Sequence, residues 1–405
     1  MRLQHVMQKG ALCWAAALTL GLLAATATAG PQIPFGPDNQ GVLQIDYKGQ
    51  FQMIMRDTGS GPNGEDSTSQ FNLRRNRLAF MGSYGDVIGF YVQTEYAESQ
   101  NIGPLVVSEE AAPSEFQVLD AVVRFSFSDA FQINVGKFKY NLSRENLEAC
   151  EAELTLDRSL FIRTAFVRTR DTGVAVWGNI MDGLFQYRLD AMNGRLPTTE
   201  SAPEPASNFR YSARAHVSLL DPENTYGYKG TFLGEKKVLT IGGAIQRESD
   251  VAYGDTVTKT DVKDYKGWTA DLFFEYPLPS IGTVTISGAY EEVDLGNAYQ
   301  GANPDPGTID LYGEKNGSFV KAAYLLPNTP LQVYGRYEEW RFASLNNVVD
   351  QEMKWKAVGL NYYFNKQNLK LTVEYSQTDY AKEGTFGGVV SKDFNTLITQ
   401  LQVVF

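Results

Sequence analysis

The chain has 405 residues, with 36 Lys and Arg against 47 Asp and Glu and a formal charge of −11, a balance that disfavours nucleic acid as a partner. Two cysteines and two histidines are too few for a zinc site of ordinary ligand count. No Gly-rich phosphate loop, nucleotide fingerprint or acid and base pair at catalytic spacing is present, so no cofactor and no metal is expected.

Residues 1–29 read as a cleaved signal peptide. Arg2 and Lys9 supply a positive start, Ala11 to Ala25 an apolar run, and Ala27-Thr28-Ala29 a small-residue cleavage site. Without Arg2 and Lys9 the balance is 34 basic to 47 acidic residues, a charge of −13. One cysteine, Cys150, and one histidine, His216, remain, which leaves no intrachain disulfide. No apolar run of 18 or more residues follows, so no transmembrane helix is expected after the signal segment.

From residue 41 onward the pattern has period two, in segments rich in Val, Ile, Thr, Tyr and Phe and broken by Gly, Asn, Asp and Pro. Sixteen strands are predicted. They lie near 42–55, 70–82, 87–96, 116–128, 131–138, 171–180, 183–193, 208–219, 236–248, 264–276, 281–294, 316–326, 329–341, 352–365, 367–380 and 393–405. The connections alternate short and long, from Tyr84-Gly85-Asp86 to Lys139–Arg170. That rhythm fits a transmembrane antiparallel β-barrel with short periplasmic turns and longer external loops. One member is irregular: Leu220 to Glu235 is long for the periplasmic side.

The two faces of each strand differ. Phe209, Tyr211, Ala213, Ala215, Val217 and Leu219 alternate with Arg210, Ser212, Arg214, His216 and Ser218. An Arg or Lys facing lipid at mid-membrane costs about 2–4 kcal/mol, so the charged face belongs to the lumen. Barrels of sixteen to eighteen strands leave an aqueous channel. The reading is an all-β fold: one barrel domain over 30–405 in the outer membrane of a Gram-negative cell, in contact with its lipids.

Phe71-Asn72-Leu73-Arg74-Arg75-Asn76-Arg77-Leu78-Ala79-Phe80-Met81-Gly82, Gly136-Lys137-Phe138-Lys139, Arg170-Asp171-Thr172-Gly173-Val174 and Asp190-Ala191-Met192-Asn193-Gly194 resemble the phosphate-selective porin O and P family. The chain also ends on Phe405, as outer-membrane barrels commonly do. The resemblance is strongest over about 70–200. It implies a sixteen-strand barrel, usually a homotrimer, with the third external loop folded inward as a constriction. It does not by itself fix phosphate as the solute.

Residues 139–170 form that third loop. A connection so long and so mixed in apolar and charged groups is uncommon unless it packs or works. Folded inward, it would place Arg144, Glu145, Glu148, Glu151, Asp157 and Arg158 at the narrowest point, beside Lys137 and Lys139; the alternative is an external lid. Asp157 to Val167 has a helical cast. On the wall, Arg75, Arg77, Arg124, Arg188, Arg210 and Arg214 share lumen parity and could replace an anion's hydration shell, or could pair with Glu95, Asp120 and Asp190 to brace the barrel. Acid also reaches the lumen, as Asp271, Glu275, Glu291, Glu338 and Glu374.

The expected function is passive diffusion of small hydrophilic solutes or ions through a porin, leaning towards anions such as phosphate, with no enzymatic activity. The alternatives are a non-selective general porin, a plugged barrel serving as adhesin or scaffold, and an outer-membrane hydrolase built on His216 between Ser212 and Ser218.

Overall fold

The structure, a computed structural model, describes residues 30–57, 67–96, 116–159, 162, 165–167, 169–196, 208–309, 313–345, 348–386 and 389–405. The expected signal peptide lies outside the described residues, as do Arg163 and Arg168 of the third loop.

All sixteen expected segments form strands. After a short β1 (Gln32–Phe35) come β2 (Gly41–Arg56), β3 (Thr68–Tyr84), β4 (Ile88–Tyr96), β5 (Phe116–Ser128), β6 (Phe131–Lys139), β7 (Arg170–Ile180), β8 (Phe185–Met192) and β9 (Arg210–Ser218). The second half holds β10 (Val238–Asp255), β11 (Thr260–Leu278), β12 (Gly282–Asp294), β13 (Lys315–Leu325), β14 (Leu331–Leu345), β15 (Val348–Asn365) and β16 (Leu369–Tyr380). A hairpin of β17 (Gly384–Phe386) and β18 (Val389–Ser391) precedes the last barrel strand, β19 (Phe394–Val404). The main departure in length is β10, which runs on to Asp255 through a register shift between Glu248 and Ala252. The polar Ser249-Asp250 there interrupts the alternation that marks a strand in sequence.

Each barrel strand pairs antiparallel with its neighbour, and β19 closes on β2 from Thr396 opposite Arg56 to Val404 opposite Lys48. Where β19 stops, β1 takes over the same edge of β2, Gln32 opposite Gln44 and Phe35 opposite Gly41. Phe405 exchanges both backbone hydrogen bonds with Tyr47 at the join. The edge that β2 would otherwise leave open is thereby paired, as a strand in a membrane requires.

The alternation has the expected consequence. On β9, Arg210, Ser212, Arg214, His216 and Ser218 are buried while Tyr211 is exposed on the outer wall. The inward face is the buried one because the barrel is internally filled. Leu142 and Leu147 of the 140–169 segment join Phe138, Trp177, Tyr226 and Tyr228 in one apolar cluster. Leu156 packs with Ile54 and Ile398, and Leu154 with Ala323 and Tyr334.

Candidate functional site

The described residues of 140–169 lie against inward-facing side chains around most of the wall. Gln50 of β2 donates to the Cys150 carbonyl at 3.1 Å, Asn361 of β15 to the Leu154 carbonyl at 3.0 Å, and Gln402 of β19 to the Glu151 carbonyl at 2.9 Å. Arg336 of β14 donates to the Asp157 carbonyl at 3.0 Å. On the far side, Arg210 and Arg214 of β9 reach the carbonyls of Ala165 and Leu142 at 3.0 and 3.2 Å. Lys321 of β13 is ion-paired with Glu145. A loop outside regular structure has carbonyls to satisfy, and here wall side chains satisfy many of them. The segment's α-helix, α1 (Arg144–Leu147), falls earlier than the expected 157–167, where the described residues hold a 3-10 position at Ile162 and a turn at Ala165 and Phe166 but no α-helix.

The connection from β9 to β10, residues 219–237, also enters the lumen, from the periplasmic side. Tyr228 exchanges backbone hydrogen bonds with the third loop, its N–H donating to the Leu147 carbonyl at 3.1 Å and its carbonyl accepting from Ala149 at 2.9 Å. Gly230 donates to the Ala152 carbonyl at 2.9 Å, and a Cβ there would lie 2.6 Å from the Leu154 nitrogen, so only glycine permits this approach. Glu275 of β11 anchors the turn, accepting from Thr231 Oγ1 at 2.8 Å, Phe232 N at 3.0 Å and Gly234 N at 2.9 Å. The turn's excess length is the one sign of this in the sequence.

Arg144 joins the two inserted segments. Its guanidinium meets the Glu223 carboxylate through two bonds of 2.8 Å and lies over the rings of Tyr228 and Phe273 at 4.4 and 4.2 Å. Burial alone would raise the Glu223 carboxyl, but Arg144 outweighs it and holds the group below the usual carboxylate range.

The wall arginines are mostly engaged. Arg77 pairs with Glu95 at 2.6 Å and also reaches Cys150 Sγ at 2.9 Å. Arg75 pairs with Glu153 at 3.3 Å and Asp157 at 3.2 Å, Arg210 with Glu248 at 2.6 Å, and Arg214 with Asp271 at 2.7 Å. Arg188 lies over the rings of Tyr226 and Tyr228 at 4.9 and 4.5 Å. In the loop, Arg158 pairs with Glu153 at 3.3 Å. Of the expected bracing acids, Glu95 takes an arginine from the expected set, whereas Asp120 takes Arg170 at 3.0 Å and Asp190 accepts from the Asn141 backbone at 3.0 Å. His216 bonds Tyr228 Oη through Nδ1 at 2.7 Å, while Ser212 accepts from Gln246 and Ser218 from the Glu223 backbone.

Two positions lie on the face opposite to the expected one. Opposite Gln50 and Phe51 the register slips so that Arg74 is an extra residue. This bulge turns Arg74 inward beside Arg75, where it bonds Asp157 at 2.6 and 3.0 Å, and a strict alternation could not have included it. Lys137, expected in the lumen, stands instead in register with the exposed Ala121, and its Nζ donates to the Val118 carbonyl. Gly136 before it has φ +128°, and a Cβ would meet the Ala121 carbonyl at 2.1 Å.

Beside β4–β6 the two segments leave a cavity of about 210 Å³, bordered by Lys48, Arg77, Arg124, Lys139 and Arg170 with Asp120, Glu148 and Glu151. Lys48 sits 2.8 Å from Glu151 and holds that carboxyl well below its ordinary range against the opposing effect of burial. A larger cavity, about 360 Å³, lies at the outer rim beside Phe209, Tyr211 and Arg247, away from these charges.

Glu148 behaves oppositely: burial and then the neighbouring Glu145 push it up to about 8, against the pull of Arg144 and Lys321. Its raised value makes it neutral at pH 7 and anionic above pH 8, and favours the folded state less as pH rises from the unfolded value through 8. Anion over cation permeability is therefore expected to fall between pH 7 and 9. Reversal potentials across that range test it, and Glu148→Gln should flatten the profile.

A closed sixteen-strand barrel with an apolar outer wall, a charged inner face and inserted loops defines the outer-membrane porin class. The family described as phosphate-selective porin O and P matches the chain over residues 45–244 and 306–405, and the chain belongs to that family. An uncharacterised protein of Aquifex aeolicus is 22% identical over 357 residues, covering 81% of this chain and 80% of its own. Among solved structures, the outer-membrane channel DcaP of Acinetobacter baumannii aligns with TM-score 0.57 and 13% identity over 93% of this chain and 100% of its own. The anion-selective porin of Comamonas acidovorans aligns with TM-score 0.56 and 11% identity over 90% and 100%. These structural likenesses establish the fold.

Proposed function

We propose that this outer-membrane channel conducts small anions by passive diffusion, through the cavity between the 147–151 edge of the third loop and β4–β6. The observation that carries the reading is the border of that cavity, five cations against three carboxylates; a cationic border raises the local concentration of anions. In this reading residues 139–170 act as the constriction, residues 1–29 are removed on export, and the protein works as a homotrimer, as the family resemblance implies. Phosphate, the anion in the family's description, is one candidate solute.

In a planar bilayer under a potassium chloride gradient, the purified protein should give a reversal potential of anion-selective sign, and Arg124→Glu should move it towards cations. A cation-selective current, or none, would overturn the reading. The pairing of Arg75, Arg77, Arg210 and Arg214 with carboxylates favours a second reading, a weakly selective general porin, which a reversal potential near zero would support. Cross-linking in detergent tests the trimer.

A further inference from the structure

We infer that the cavity beside β4–β6 is a binding site for a small aromatic monocarboxylate in preference to inorganic phosphate; this rests on the anion-channel reading. The first ground is how little charge the cavity has left uncommitted. Lys48 faces Glu151 at 2.8 Å, Arg77 faces Glu95 at 2.6 Å and Arg170 faces Asp120 at 3.0 Å. Lys139 donates to the Glu148 carbonyl at 2.7 Å. Arg124 differs: it is exposed, it has no ion pair among the described residues, and its guanidinium lies 5.8 Å from the Tyr91 ring. One uncommitted guanidinium matches one carboxylate, which it can hold through two parallel hydrogen bonds. A doubly charged phosphate would bring a second charge towards Asp120 and Glu151 without a second uncommitted cation to meet it.

The second ground is the apolar part of the same lining. Val122, Phe138 and Leu147 border the same cavity, each less than 5% exposed. Tyr226 stands edge-on to Phe138 with centroids 6.0 Å apart, and itself borders the cavity from the inserted turn. An apolar and aromatic wall gains from covering the ring of an organic acid. Against phosphate the Val122, Phe138 and Leu147 side chains offer no hydrogen bond to replace lost water, so dehydration along them goes uncompensated.

The test uses the full-length protein in planar bilayers, titrating the chloride current with benzoate and, separately, with inorganic phosphate. Benzoate should block at concentrations about tenfold lower than phosphate. Arg124→Gln, at an exposed position that leaves the barrel intact, should weaken the benzoate block by about tenfold or more. Phe138→Leu should weaken it several-fold with little change for phosphate, and heat-modifiable migration on a gel checks that each variant is folded. Equal or stronger block by phosphate, or a benzoate block indifferent to Arg124→Gln, overturns the inference while the anion-channel reading stands. A cation-selective reversal potential overturns that reading itself.

Discussion

Replacing Pro222–Glu235 with a short turn is expected to raise single-channel conductance several-fold. The connection from β9 to β10 lies in the lumen against the third loop, and its Tyr226 borders the cavity proposed as the solute path. Removing it widens that path and withdraws the backbone partners of Leu147, Ala149 and Ala152, loosening the loop edge. A milder change should act in the same direction. Glu275 is fully buried and accepts hydrogen bonds from Thr231, Phe232 and Gly234 of the turn. Glu275→Ala leaves two backbone N–H groups without their acceptor, at about 1–3 kcal/mol each if they stay buried. The turn is then expected to leave its seat, giving higher and noisier conductance and faster cleavage by a protease added from the periplasmic side. Conductance unchanged in both variants would place the bottleneck at the third loop alone.

The barrel was legible because lipid and lumen impose a period of two on every strand, and the difference between turns and loops imposes a second rhythm. Arg210 and Arg214 could be assigned to the inner face from alternation alone. Alternation fails where one residue is inserted, and the bulge that turns Arg74 inward changes the charge count at the site without a mark in the local pattern. Ion pairing was illegible for a different reason. Arg144 and Glu223 are 79 residues apart and Lys321 and Glu145 are 176 apart, and nothing local couples such partners. The sequence therefore offered a ladder of arginines and, in Glu95, one of its partners, but not the pairs with Glu153, Asp157, Glu248 and Asp271. The inward turn left only its length, which does not say whether a segment extends into the periplasm or doubles back.

Arg144→Ala is expected to destabilise the inserted segments by about 3–5 kcal/mol, the cost of breaking a buried ion pair by removing one partner. Arg144 and Glu223 are each about 2% exposed at the side chain, so solvent cannot replace the missing group. The loss includes the stacking of the guanidinium between Tyr228 and Phe273 and leaves Glu223 buried without the cation that keeps it ionised. Desolvation also means that the intact pair is worth less than this figure. Arg144→Met combined with Glu223→Met removes both charges and keeps the volume, and should recover most of the loss. Denaturant titrations of the wild type, Arg144→Ala and the double variant, read on the tryptophan emission that includes Trp177 beside Tyr226, separate the two cases. A double variant as unstable as Arg144→Ala would mean that the shape of the Arg144 side chain, rather than its charge, joins the third loop to the periplasmic turn. The conductance should follow the same order, because the two segments lose their common anchor in the single variant and retain an apolar one in the double.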